Sequence, residues 1–332
     1  MTYPNDNLLQ ARPDLDMIAT SMDVLAAQQK FIGSFIIPDL PVQTRFGKYP
    51  YVDTASWLTD PFELVSPMGA LPRVRIEFGT KDFSCEERAF EMPINREDEA
   101  LYSEWLDLEQ HTANAARTMA AYHREASAVA LVNNASAYGT STNVTNQWTD
   151  KDDATPIADL KKLIEDVGEK CGMDPNTIVM SKTTWKTMLE CDEVVDRVKF
   201  ATAGEGDVKD MTTSNFAALI GVKQVLLGET RIAKDTGGTR TYPRMWANNT
   251  VSAFVALTSK EAAKFPHWAA RAIYKPKVSV DYGQRSFGQV GNCEFYTYPE
   301  PSSRSEIIQC LEWSDDIVAD INCAGRLTNI CS

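Results

Sequence analysis

The chain has 332 residues, 43% of them hydrophobic, and carries 33 Lys and Arg against 46 Asp and Glu, a formal charge of −13. That much apolar sequence can bury a core in two compact modules or one elaborate one. The acidic balance argues against a protein whose main task is gripping nucleic-acid phosphate, which is done with cationic side chains. No window approaches the roughly eighteen apolar residues of a membrane helix. MTYPNDNLLQ lacks the basic start and apolar run of a signal peptide, so a cytosolic chain with no membrane contact is expected.

In chain order, Leu15, Met17, Ile18, Met22, Leu25 and Ala26 predict a short amphipathic helix over residues 14 to 30. FIIPDLPVQTRFGKYPYVDTASW, residues 35 to 57, follows; its three prolines exclude a helix and keep it extended, yet it is rich in residues that leave water. SPMGALP predicts a turn around Gly69. RVRIEF then places Val74, Ile76 and Phe78 on one strand face and Arg73, Arg75 and Glu77 on the other. After a Gly79-Thr80 break, DFSCEERAFEMPI is extended, so residues 53 to 94 read as a long projecting hairpin with little core of its own.

Residues 107 to 138 give the strongest helical signal, Ala-rich and free of Pro and Gly, with Leu108, Ala115, Met119, Tyr122, Ala126, Val129 and Ala130 as its apolar stripe. A helix of that length must lie along something equally long. The polar run from Gly139 to Asp153 marks a boundary, and Thr155 with Pro156 then supplies an N-cap and first residue for a helix ending near Gly172. NTIVMS reads as a buried strand, TTWKTMLEC and SNFAALIG as helices, and KQVLLG as a strand, an alternation that indicates an α/β layer. WANNTVSAFVALT predicts two strands about an Asn-Asn turn, and CEFYTY, SEIIQCLEW and DIVADINC predict three more.

The chain carries no recognisable chemistry. His111 and His123 stand too far apart on the long helix for a joint ligand set, and no Cys or carboxylate spacing completes a zinc pattern. There is no GxSxG and no cysteine in a local signature with a histidine. GEGD and DTGGTR lack the phosphate-loop patterns and read as surface turns. Runs such as NREDE and DKDD are the solvated faces of an acidic protein. Cys85, Cys171, Cys191, Cys293, Cys310, Cys323 and Cys331 form no CxxC pair and are expected as free, partly buried thiols. No catalytic residue, metal ligand or cofactor is therefore assigned, and an α/β enzyme with its catalytic layer at residues 155 to 250 ranks low. What remains is an apolar arm, a long hairpin and an oversized helix, none of them stable alone. A monomer would expose on the order of several hundred Å² of apolar surface, and the economical partner is another copy of itself.

This order of parts resembles the major capsid protein of tailed bacteriophages, the Hong Kong 97-type capsid fold, an α+β architecture. FIIPDLPVQTRFGKYPYVD is similar to the N-terminal arm of that family, and SPMGALPRVRIEFGTKDFSCEERAFEMPI to its extended E-loop hairpin. DLEQHTANAARTMAAYHREASAVALV resembles the spine helix of the peripheral domain. NTIVMSKTTWKTMLECDEVVDRVKF and SNFAALIGVKQVLLGETR resemble the axial domain. The resemblance implies an arm over residues 1 to 50, a hairpin over 51 to 97, and a peripheral domain with its spine helix over 98 to 150. The axial domain then covers 151 to 275, peripheral strands 276 to 314, and C-terminal strands of the axial domain 315 to 332.

It further implies a virion shell subunit that forms pentamers and hexamers with itself, assembles in the bacterial host cytoplasm and encloses double-stranded DNA contacted non-specifically. A scaffolding protein, a portal and a decoration protein are the other partners implied. An encapsulin-like nanocompartment shell is the alternative on the same fold. Residues expected at contacts between subunits are Phe35, Ile36, Ile37, Phe46, Tyr49, Tyr51, Trp57, Met68, Arg73 and Arg75. No Lys, Asn and carboxylate trio of the kind that crosslinks some family members is matched, and Lys81 is left without that role.

Overall fold

The structure, a computed structural model, describes residues 31–52, 58–62, 64, 71, 73–75, 77–103, 107–201, 211–257, 265–275, 285–290 and 293–331. The helix expected over residues 14 to 30 and the turn around Gly69 lie outside them. The described chain opens with one helical turn, α1 (Gly33–Ile36), followed by the strands β1 (Asp39–Val42) and β2 (Phe46–Val52). The prolines of the opening segment fall where a missing N–H is tolerated: Pro38 between α1 and β1, Pro41 on an edge strand, and Pro50 in a two-stranded ribbon. In that ribbon β2 pairs antiparallel with β3 (Phe78–Ser84), Phe46 opposite Ser84 and Val52 opposite Phe78. The hairpin thus begins inside the segment expected as an arm.

The alternation of RVRIEF does not form a strand of that length. Arg73, Val74, Arg75 and Glu77 lie outside any strand and are exposed, because a period of two buries a face only where something packs on it. Gly79, expected as a break, is inside β3. It faces Tyr51, whose ring lies so close that a Cβ at Gly79 would stand 2.2 Å from Cζ. Beyond Cys85, β4 (Glu86–Asn95) runs into α2 (Arg96–Tyr102), capped by the Asn95 side chain accepting from Glu97 N.

The long helix α3 spans Leu108–Asn133, 26 residues or about 39 Å, with Asp107 accepting from Gln110 N at its start. It stops at Asn133 because Asn134 accepts from Ser136 N and turns the chain into the 3-10 segment Ala135–Ala137. The equally long object it lies along is β14 (Ser305–Val318), whose 14 residues reach about 46 Å. The face it buries is only in part the expected stripe: Val129 is buried and Leu108 packs at the edge of a core, but Ala115, Met119, Tyr122, Ala126 and Ala130 are not buried. Ala113, Ala116, Ala120 and Ala128 face the core, together with Arg117 and Glu125, while Met119 is half exposed. Small side chains let a helix sit close on a sheet; Glu125 is admitted by donors from distant elements, and the Arg117 guanidinium lies over the Phe295 ring.

Next come β5 (Thr140–Asn143), α4 (Pro156–Cys171), β6 (Thr177–Ser181), α5 (Lys182–Leu189), α6 (Asp192–Ala201), α7 (Thr213–Ile220) and β7 (Gln224–Gly228). Pro156 starts α4 and Gly172, at φ 71°, ends it, as the sequence predicts. Thr155 makes no side-chain cap; the donor at Ile157 N goes instead to Glu193 of α6, at 2.9 Å. Gly221, at φ 91°, stops α7. A small hairpin, β8 (Lys234–Thr236) and β9 (Thr239–Thr241), turns through Gly237 and Gly238, both at positive φ. The last strands are β10 (Thr250–Phe254), β11 (Ala269–Tyr274), β12 (Arg285–Val290), β13 (Cys293–Glu300), β14 and β15 (Ala324–Thr328). Trp246–Asn249 forms no strand before β10, and SEIIQCLEW with DIV is one continuous strand rather than two.

The strands make two large sheets. One has five, in the order β5-β15-β10-β6-β7, and its core carries Trp148, Leu160, Ile178, Phe216 and Val251. The other has six, β1-β11-β14-β13-β12 with β4 also on β14, and α3 covers it through Ala113, Ala116 and Ala120. Two segments sit across the expected boundaries: β5, placed by sequence with the peripheral part, joins the five-stranded sheet, and β11, placed with the axial part, joins the six-stranded one.

Cys171 at the end of α4 and Cys323 before β15 form a disulfide, Cα atoms 5.1 Å apart, which corrects the expectation that all seven thiols are free. The pairing closes a separation of 152 residues, so no spacing rule could suggest it. The other five are free, and four of them are buried. Titration of the denatured, unreduced protein with a thiol reagent should therefore count five reactive cysteines, and seven after reduction.

Candidate assembly surface

The ribbon of β2 and β3 is the element that leaves the body of the chain, and its root is built against β11 and β14 of the six-stranded sheet. Tyr49 and Phe83 are buried against Ala272, Ile317 and Ala319. Cys85 N donates to Arg45 O at 2.9 Å and Ser84 N to Asp315 Oδ2 at 2.8 Å, so the bend from β3 to β4 is held by backbone and carboxylate together. His267 fixes the ribbon from the other side. Its Nδ1 donates to Phe265 O at 3.0 Å, since a carbonyl can only accept, which leaves Nε2 to accept from the Tyr49 hydroxyl at 3.0 Å.

Burial raises the Tyr49 phenol to about 12 and lowers the His267 imidazole below its ordinary 6.5. The folded state thus binds fewer protons at His267 than the unfolded one, and stability held above pH 6.5 is lost as the pH falls from there through the lower folded value. Amide exchange along β2 and β3, taken relative to the intrinsic rate at each pH, should accelerate as the pH falls from 6.5 toward that lower value, and His267→Gln should remove this part of the pH dependence.

Beyond the root the ribbon carries apolar side chains with no cover among the described residues. Phe62 is 90% exposed, Leu64 is fully exposed, and Leu58, Leu71, Val74 and Phe78 are each more than half exposed. Six such residues within one segment form the kind of surface that soluble monomers avoid.

The residues expected at contacts divide accordingly. Phe35, Phe46, Arg73 and Arg75 are exposed and Tyr51 is half-buried. Ile36 and Ile37 are buried against Val129 and Trp268, and Tyr49 is buried in the ribbon root, so these three serve the chain's own core. The apolar segment therefore packs in part on its own domain. Trp57 and Met68 lie outside the described residues. Sequence reasoning did not single out Phe62 and Leu64, which stand in PFELV beside a proline.

Two polar clusters hold the parts that present this surface. Glu125 of α3 is 1% exposed and accepts from Ile32 N, Gly33 N and Trp246 Nε1 at 3.1, 2.7 and 2.8 Å, and from Thr230 Oγ1 at 3.3 Å. Burial raises its pKa and the four donors oppose that rise. Arg271 of β11 donates to both oxygens of Asp316 of β14, at 2.5 and 2.9 Å, and Arg124 of α3 grips Asp39 of β1 at 2.6 and 2.7 Å. Although burial acts to raise Asp316, Arg271 outweighs it and holds the carboxyl below its ordinary value.

Among the described residues no three His, Cys, Asp or Glu side chains gather as a metal site, and no helix is long and apolar enough to cross a membrane. His123 is exposed near Arg88, and His111 lines a groove along α3.

No protein-family model matches the chain. The major capsid protein of Burkholderia phage BcepMu is 24% identical over 263 residues, covering 76% of this chain and 80% of that relative. A phage-related protein from Bordetella bronchiseptica aligns in structure with a TM-score of 0.70 at 16% identity, over 96% of this chain and 97% of its own. The capsid structure of cyanophage P-SCSP1u aligns with a TM-score of 0.54 at 11% identity, over 88% and 86%. The chain has the Hong Kong 97-type capsid fold: an extended hairpin, a spine helix on one sheet, and a second sheet with its own core.

Proposed function

We infer that the chain is the major capsid protein of a tailed bacteriophage, a coat subunit that self-associates into the shell of the virion. One observation carries this reading beyond the fold. The ribbon is rigidly rooted through Tyr49, Phe83 and Ser84, yet ends in Phe62, Leu64 and their neighbours, which the chain's own described residues leave in water. A firm stem under an apolar end is suited to reach across a neighbouring copy, where burial contributes about 25 cal/mol for each Å² of apolar surface.

In finer detail, the subunits form pentamers and hexamers in an icosahedral shell assembled in the host cytoplasm, with a scaffolding protein, a portal and a decoration protein as partners. The formal charge of −13 supports a lining that holds packaged double-stranded DNA only loosely, because an acidic subunit limits non-specific phosphate binding. The role is structural, with no reaction assigned.

Electron microscopy and sedimentation of the purified chain test the reading. Rings or closed shells are the expected result. A sharp monomer at every concentration, with no particles, would overturn it.

A further inference from the structure

A groove of about 840 Å³ runs along the outer face of α3, walled on one side by Ala115, Met119, Tyr122 and Ala126 and on the other by Ile232 and Tyr242. Its lining is mainly apolar, and Met119 and Tyr242 are at least half exposed. The four α3 residues are the middle of the expected apolar stripe and are not buried, since the opposite face of the helix meets the sheet. An apolar groove of this length on a helix that is already fully packed behind calls for an occupant.

We propose that the groove is filled by the chain's own N-terminal segment, residues 14 to 30, lying parallel to α3. Phe31, where the described chain begins, packs edge-on against Tyr122 of the groove wall, ring centroids 5.1 Å apart, so the preceding segment starts from within reach of the groove. The lengths agree. From His111 to Tyr122, where Phe31 sits, the helical wall measures about 17 Å, and a helix from Leu15 to Ala26 measures about 17 Å. The chemistry agrees as well. Leu15, Ile18, Met22, Leu25 and Ala26 recur at i, i+3, i+7, i+10 and i+11, one apolar stripe for one apolar groove. Asp16 and Asp23 share a flank of that helix, and Arg231 is the cation among the groove residues.

Glu125 adds a reason for the segment to lie there. It binds Ile32 N and Gly33 N, fixing the two residues after Phe31 on α3 and so setting the direction in which the preceding chain departs.

The test uses the full chain carrying Met22→Cys and Met119→Cys, with Cys331→Ser to remove the least buried of the native free thiols, and a short bismaleimide. A bond between residues 22 and 119 within one chain, identified by peptide mass, is the expected result. A bond between two chains overturns the proposal in favour of a second copy as occupant, and no bond overturns it outright. As a measurement that needs no cysteines, deletion of residues 1 to 30 should raise amide exchange in residues 115 to 126 and 231 to 245 roughly tenfold, with exchange in β6 unchanged as the control for folding. Equal exchange with and without the segment overturns the proposal.

Discussion

Phe62→Asp with Leu64→Asp is expected to abolish shell formation while leaving the unfolding of the monomer where it was. Both side chains stand free of the described chain, at 90% and 107% exposure, so replacing them removes no contact within it. In an assembly each buried Phe or Leu is worth about 1.5–3 kcal/mol, so a pair costs roughly 3–6 kcal/mol at every copy of the contact, before the penalty for burying a carboxylate there. A lattice multiplies that loss by the number of contacts it contains. Sedimentation velocity should show monomer or small oligomer, and circular dichroism melting should coincide with that of the parent in its unassembled form. Particles of ordinary size from the double variant would show that the ribbon end is not at a subunit contact.

The second large effect lies at Glu125→Ala. Removing this carboxylate strands four donors, the amides of Ile32 and Gly33, the Trp246 indole and the Thr230 hydroxyl, in a site that excludes water. At about 1–3 kcal/mol for each donor left unsatisfied, and with partial relaxation, the loss should reach roughly 3–5 kcal/mol. That is a large part of the roughly 5–15 kcal/mol by which domains are stable. Glu125→Gln keeps one acceptor oxygen but turns an amide group toward donors, so it should fall between the two. Urea unfolding midpoints, measured in the assembly-deficient background, would rank the three. A loss under about 1 kcal/mol for the alanine variant would mean that water or a shifted side chain replaces the carboxylate.

Much of the fold is legible because its rules are local. Pro156 and Gly172 bracket α4, and Gly221 ends α7, through backbone preferences that need no neighbour. What was not legible depends on residues far apart. The Glu193 cap on α4 comes from a different helix, and the Cys171–Cys323 pair joins elements 152 residues apart. Ser314 and Asp315 fall between two predicted strands, yet both sit inside β14, where Ser84 N takes the Asp315 carboxylate and Arg271 that of the next residue, Asp316.

The assembly surface was half legible for a related reason. Hydrophobicity along the opening segment says that its side chains leave water, not where they go. Ile36, Ile37 and Tyr49 go inward, and Phe35 and Phe46 do not. On α3 the same ambiguity runs the other way: Ala115, Met119, Tyr122 and Ala126 look like a core face, while the buried one combines four alanines and two valines with Arg117 and Glu125, and Glu125 is tolerable only through donors from other elements.

The pairing of β4 with β14 has a mechanical consequence. The ribbon continues through Cys85 into β4, which is matched to β14 over ten consecutive residue pairs, Asn95 with Ser305 through Glu86 with Ser314. A neighbour tugging the ribbon away along the strand axis would load that whole ladder in shear, all rungs sharing the force, rather than peeling it open one rung at a time. The ribbon is mounted like a tenon glued along its length, so traction between copies spreads into the sheet under α3 instead of concentrating at the bend.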